Sequence, residues 1–263
     1  MRRGSCIALL LLSVSCGPDA NQLNIPAWKI SKNGMEGLLI GTFHKTPAGM
    51  TQRIPAGASE GQLHLEAVEN QRVSADRAFL RNSIRQETSF SSTEKEAIER
   101  MEAAKKGDGA RNKQTWAIAY AYTRRMTGSD PDATEGTEQI LMKTGKRLPS
   151  SLEDPGLLYD DLASMPDRDQ QIYLREAIHG NVLCDQDVRR RGRLDEAEMT
   201  RCVERAHLYL RMFIDRRNER MCGAIDRAMR KDGGVFAVGA AHLFGRRSIV
   251  ECLKKKGYQV DRT

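Results

Sequence analysis

The chain has 263 residues, 29% of them charged and only 5% aromatic, with a formal net charge of +7. That length allows one domain with a real core, and so few aromatics favour a helix-rich α/β fold over a β-sandwich. The basic residues are scattered and have no aromatics interleaved with them, so they make no nucleic-acid surface.

The first residues read as a targeting segment. Met1-Arg2-Arg3 is a basic start and residues 7–12 are a short apolar stretch, too short to remain as a membrane-spanning helix. Ser13-Val14-Ser15-Cys16 is similar to a bacterial lipobox. Residues 1–15 are then a signal peptide, Cys16 is the lipidated residue and 16–25 are a tether. The chain is expected in the cell envelope, held by its lipid at the outer membrane or on the periplasmic side. The rival is ordinary cleavage near Ser15 or Ala20, which would give a soluble periplasmic or secreted protein.

Beyond the tether, residues 28–30 and 37–43 read as two strands around Lys32-Asn33-Gly34. The second strand runs into Gly41-Thr42-Phe43-His44. Residues 47–61, rich in Gly and Pro, are a loop that can overhang His44. Residues 77–80 suggest a third strand. Thr93-Glu94-Lys95-Glu96 starts a capped helix to about residue 106, and residues 112–126 are apolar at helical spacing. After a polar turn at 128–136 come two shorter helices, 155–164 and 167–179. The densest basic cluster, Arg189-Arg190-Arg191-Gly192-Arg193, is either a solvated loop or a contact for anionic lipid headgroups. Residues 195–231 form one long helical stretch with room for a kink, closed by Gly233-Gly234. A strand at 235–238, the turn Gly239-Ala240-Ala241-His242, a helix at 246–255 and a strand at 258–260 complete the chain. This order describes an α/β (α+β) fold in one domain, 26–263. A compact sheet is closed by the N- and C-terminal segments around a large helical insertion.

Four cysteines remain once Cys6 is removed and Cys16 is lipidated: Cys184, Cys202, Cys222 and Cys252. In an exported protein they should form two disulfides, for which three connectivities exist. The sequence-local one, Cys184 with Cys202 and Cys222 with Cys252, is favoured.

The two Gly-x-x-His turns carry the functional signal. A buried strand that stops at Gly and then presents His sets an imidazole at the carboxyl edge of a sheet, where open α/β sheets bind their ligands. On neighbouring strands, His44 and His242 would meet in one cleft and bind a divalent metal ion. Backbone at Gly41, Thr42 and Gly239 would border substrate or an anion there, since a helix follows the second turn. His64, His179 and His207 have no partners at ligand spacing and read as structural or solvated. Met199, Met212, Met221 and Met229 read as core packing. No His-Glu-x-x-His helix, P-loop or Gly-x-Gly-x-x-Gly turn is present.

These segments resemble the TraB/GumN family, whose animal relatives include the Tiki proteases. Pro26-Ala27-Trp28-Lys29-Ile30 with Leu38-Leu39-Ile40-Gly41-Thr42-Phe43-His44 is similar to the family's opening strand and first histidine motif. Asp215-Arg216-Arg217-Asn218 resembles its Glu-Arg-Asn element, with Arg217 and Asn218 on the matching positions. Residues 238–245 and Gly257-Tyr258-Gln259-Val260 resemble its closing motif, and Leu152-Glu153 and Met165-Pro166 its middle region. The resemblance implies a metal-dependent hydrolase acting on a peptide or protein substrate. His44 and His242 would be metal ligands, Asn218 a donor to the developing oxyanion and Arg217 a clamp on substrate. One departure stands out: where the family carries an acidic residue after an Ala-Asp pair, Ala75-Asp76 leads to Arg81. A cation about 4 Å from a metal costs about 4 kcal/mol per unit of charge at an effective dielectric near 20. Glu66 and Glu69 upstream and Glu87 downstream are the alternative carboxylates. Without one of them, the chain would be a degenerate member of the fold that binds a peptide or protein partner in the envelope.

Overall fold

A computed structural model describes residues 22–43, 45–67, 79, 83, 90–104, 113–126, 134–145, 148–179, 194–205 and 211–263. Cys16, His44, Arg81, Cys184, the arginine cluster at 189–193 and His207 lie outside the described residues, as does the expected signal peptide.

The strands are β1 (Gln22–Asn24), β2 (Ala27–Lys32), β3 (Met35–Thr42), β4 (Lys45–Thr46), β5 (Thr51–Arg53), β6 (Leu63–Leu65), β7 (Thr134–Glu135), β8 (Ser150–Ser151), β9 (Gly234–Gly239) and β10 (Gln259–Arg262). The helices are α1 (Ser92–Ala103), α2 (Thr115–Met126), α3 (Thr137–Thr144), α4 (Gly156–Ala163), α5 (Asp167–Ile178), α6 (Glu196–Arg205), α7 (Arg216–Met229) and α8 (Ile249–Lys255). A π-helical turn, Arg211–Asp215, runs directly into α7, and a 3-10 turn, Ala240–Leu243, follows β9.

Six strands form one mixed sheet in the order β10-β2-β3-β9-β6-β8. β10, β2 and β3 pair antiparallel, whereas β3, β9, β6 and β8 all run parallel. The β2–β3 hairpin turns at Asn33 and Gly34, both with positive φ (52° and 79°). Two such residues are what a tight hairpin turn matching the strand twist requires. Leu38, Leu39 and Ile40 of β3 and residues 235–238 of β9 are buried in unbroken runs, as expected of parallel strands covered on both faces. Met221, Ile225 and Met229 of α7 and Ile249 and Leu253 of α8 pack into that core. A second core joins α1, α2, α4, α5 and the π-turn through Ile98, Trp116, Leu162, Tyr173 and Phe213. The α/β architecture and the helical middle are therefore as expected.

Several local expectations change. Residues 22–25, assigned to the tether, are folded: β1 pairs with β5, and Leu23 and Ile25 are buried. Phe79, expected in a strand, has helical backbone, and its ring packs edge-on against Trp116 and Tyr159. The third parallel strand is instead β6, just past the expected loop. The capping box of α1 is formed by Ser91 and Glu94 rather than Thr93 and Glu96: the Ser91 hydroxyl accepts from the Glu94 N–H, and the Glu94 carboxylate accepts from the Ser91 N–H. Within the stretch at 195–231, expected to be helical with room for a kink, the described residues are α6, the π-turn and α7. No helix among the described residues is long and apolar enough to cross a membrane.

Candidate functional site

Four parallel strands deliver their carboxyl ends to one edge. Thr42 of β3 lies opposite Gly239 of β9, and Leu65 of β6 lies opposite both Ala237 of β9 and Ser151 of β8. Glu66 follows β6 and Glu153 follows β8 after one residue. The ladder continues past both strands, because the Glu66 N–H donates to Ala237 O (3.0 Å) and the Glu153 N–H to Glu66 O (3.3 Å). Two carboxylates thus leave adjacent strands side by side, next to the turn that carries His242.

The two glycines of the histidine motifs are required by close approach. A Cβ on Gly41 would stand 2.7 Å from Pro26 Cγ and 3.2 Å from Ala240 Cα. A Cβ on Gly239 would stand 3.3 Å from Glu66 Oε2. The bare backbone there lets the Gly239 N–H donate to Glu66 Oε2 at 2.9 Å. The anion that this turn binds is the chain's own carboxylate.

Glu66 is held on its other oxygen as well, since Arg217 Nη2 donates to Glu66 Oε1 and Arg217 Nε to Glu153 Oε1. One guanidinium therefore sits between two glutamates. Burial works against the charge on Arg217, but Glu66 and Glu153 outweigh it and raise the arginine above its usual range. Burial pushes the Glu153 carboxyl above the usual carboxylate range, against the pull of Arg217. Glu153 Oε2 accepts no hydrogen bond, and Arg220 Nε lies 3.6 Å from it. Arg220 is turned toward Asp161, donating through Nη1 at 2.8 Å.

His242 is buried, at 4% exposure. Its Nδ1 lies 2.7 Å from Asn218 Oδ1, while Asn218 Nδ2 donates to Arg247 O at 2.8 Å. The carbonyl of Arg247 can only accept, so it fixes which end of the Asn218 amide is nitrogen. Asn218 Oδ1 then accepts from His242 Nδ1–H, which turns the other ring nitrogen, Nε2, away from Asn218. That nitrogen faces Glu66 Oε2 at 3.8 Å.

The residues singled out in the sequence fall as follows. His242, Arg217, Asn218 and Gly239 converge on this edge. Asn218, expected to stabilise an oxyanion, is taken up in orienting His242, and Arg217, expected to grip substrate, grips Glu66 and Glu153. The Thr42 hydroxyl donates to Glu138 Oε1 (3.1 Å). His44 and Arg81 lie outside the described residues, but the chain flanking His44 is clamped. The Phe43 N–H donates to Thr137 Oγ1, the Thr137 N–H donates to Phe43 O, and Lys45 pairs with Glu135. Among the described residues no group of three or more His, Cys, Asp and Glu side chains is gathered for a metal; Glu66 and His242 are a pair. Cys222 and Cys252 are bonded, the local pairing expected. Cys202 is also in a disulfide, and its expected partner, Cys184, lies outside the described residues. His64 is a packing residue: its Nδ1 is 2.6 Å from Ser150 Oγ, its ring stacks on Phe236, and burial lowers its pKa. His179 is exposed at the end of α5.

Glu66 and Glu153 were the residues hardest to assign from sequence. Their signal is a glutamate directly after a short apolar pattern, Leu63-His64-Leu65-Glu66 and Leu152-Glu153. Among the described residues, the carboxylate beside His242 is that of Glu66, directly after β6.

The model of the TraB/PrgY/gumN family matches residues 26–262, nearly the whole chain, and the chain belongs to that family. No curated protein and no solved structure matches it.

Proposed function

With membership of the TraB/PrgY/gumN family as the premise, we propose that the chain is an exported metallohydrolase that cuts peptide bonds at the edge where Glu66 meets His242. One observation carries this reading: the buried His242 imidazole, engaged through Nδ1 by Asn218, turns Nε2 toward Glu66 Oε2 at 3.8 Å. Ligand bonds of about 2.1 Å to a shared ion span such a gap. A divalent cation held by Glu66 and His242, with His44 as the further ligand expected from the sequence, would polarise a peptide carbonyl and lower the pKa of water. The chain's own groups prepare the place. Gly239 N–H and Arg217 aim Glu66, and Asn218 orients the imidazole so that Nε2 faces it.

The test is the metal content of purified protein, wild type against His44→Ala and His242→Ala, with peptide hydrolysis followed before and after chelation. Loss of metal and of hydrolysis in both variants is expected. Equal metal in all three would overturn the reading.

Arg217 supports a second reading. Because its guanidinium is occupied by two carboxylates, it offers little grip on substrate, which suits a member that binds a peptide or protein partner without cutting it. Peptide binding with no cleavage in the presence of added metal would favour that reading.

The proposal has the chain in the cell envelope, anchored through lipid on Cys16. The basic start and the lipobox-like residues support this, and so does the Cys222–Cys252 bridge, a bond that persists in oxidising compartments. A palmitate analogue should label the wild type and spare Cys16→Ala; equal labelling of both would refute the anchor.

A further inference from the structure

We propose that Glu153 is a positioning residue: its buried carboxylate takes up part of the Arg217 guanidinium and so keeps Glu66 aimed at Gly239 N–H and His242. This rests on the reading of Glu66 and His242 as the reaction centre.

Glu153 is a poor stabilising residue as it stands. Its side chain is 2% exposed, yet Oε2 accepts no hydrogen bond. A buried carboxylate with an unsatisfied oxygen costs stability, and an apolar side chain of similar size often serves a core better. What it does have is placement. Its backbone is locked to Glu66 through the Glu153 N–H, and its own carbonyl accepts from Ser151 Oγ at 2.6 Å. The carboxylate therefore stands at a fixed distance from Glu66, with Arg217 between them. Oε1 of Glu153 lies in the fork formed by Arg217 Nε and Nη2, and the same Nη2 reaches Glu66 Oε1.

The charges explain the arrangement. Glu66 and Arg217 alone would neutralise each other, and a bidentate pair would draw both Glu66 oxygens toward the guanidinium. With Glu153 holding the fork, Glu66 gives Arg217 only Oε1. Oε2 stays on Gly239 N–H and toward His242.

Cobalt(II) alone is the probe, titrated calorimetrically into the full mature chain. Glu153→Gln keeps the shape and an acceptor for Arg217 but loses the charge. Affinity for cobalt is expected to fall about 10–100-fold, the usual effect of removing a partner that orients a ligand, while circular dichroism and Tm show a folded protein. Glu153→Asp, which keeps the charge, should recover part of the loss and serves as the second variant if the glutamine form does not fold. Wild-type affinity in Glu153→Gln overturns the inference and leaves the metal reading standing.

A crystal structure of metal-free Glu153→Gln tests positioning by itself. Arg217 should close on both Glu66 oxygens and lengthen the 2.9 Å contact to Gly239 N. If Glu66 has not moved, the inference is wrong whatever the metal does. If Glu66 moves but the wild type binds no cobalt, the positioning role stands and the metal reading fails.

Discussion

The amide of Asn218 decides which nitrogen of His242 carries the proton. Asn218 is buried and both ends of its amide are engaged, so replacing it orphans the Arg247 carbonyl and the His242 Nδ1–H together. Asn218→Ala should cost about 1–3 kcal/mol in urea unfolding. If the proposed metal site is right, it should also weaken cobalt(II) uptake about tenfold or more, because the imidazole can then rotate. Unchanged uptake in a stably folded variant would show that Asn218 does not set the imidazole. At this scale the sequence shows residue types but not partners. His242, Arg217 and Asn218 stand out by spacing, yet Arg217 and Asn218 are turned inward by Glu153 and by a backbone carbonyl, which no local pattern encodes.

Along α7, three contacts four residues apart fasten the last part of the chain. Asn218 meets Arg247 O before α8, Cys222 is bonded to Cys252 within it, and Asp226 accepts from Tyr258 OH (2.8 Å) after it. Burial works against the charge of Asp226, but its bonds from Arg230 and Tyr258 outweigh it and hold the carboxyl below the usual range. Burial and the same bond push Tyr258 up to about 12. A depressed carboxyl contributes stability that is full above its ordinary pKa and is lost as pH falls through the folded value. The wild type should therefore exceed Asp226→Asn by about 1.5–3 kcal/mol near neutrality, and the gap should shrink as pH drops below about 4. A gap that is constant with pH would mean the charge is not what Asp226 contributes. Elements with strong periodicity, α1, α2, α4 and α5, were legible in the sequence to within a few residues. The three-residue β6 and two-residue β8 were not, because their strand character comes from pairing with β9 rather than from any pattern of their own.

At the scale of the molecule, the described residues form two apolar cores, one around the sheet and one among the helices, and Ala241 packs against both. Ala241 precedes His242 directly, so the site lies at the seam, where binding clefts commonly form. Trp116 is completely buried in the helical core, with its N–H groups given to Gln170 and Gln114. Trp116→Ala should cost about 3–5 kcal/mol, read as a lower Tm. On the proposed metal reading, cobalt(II) uptake below that temperature should fall as well if the seam depends on both cores. Retained uptake would show the sheet alone holds the site. The layering was readable from composition and order, whereas the seam was not, because it depends on how the two cores meet.

The strand at the heart of the sheet is among the last to be made. β9 fills the place between β3 and β6, although nearly two hundred residues separate it from β3 along the chain. Until it arrives, Glu66 has no Gly239 N–H, His242 is absent, and the two flanking strands lack the neighbour between them. A polypeptide that still lacks β9 therefore lacks the assembled edge, and one truncated before residue 234 should yield no cooperative unfolding transition. The candidate site is a property of the finished sheet.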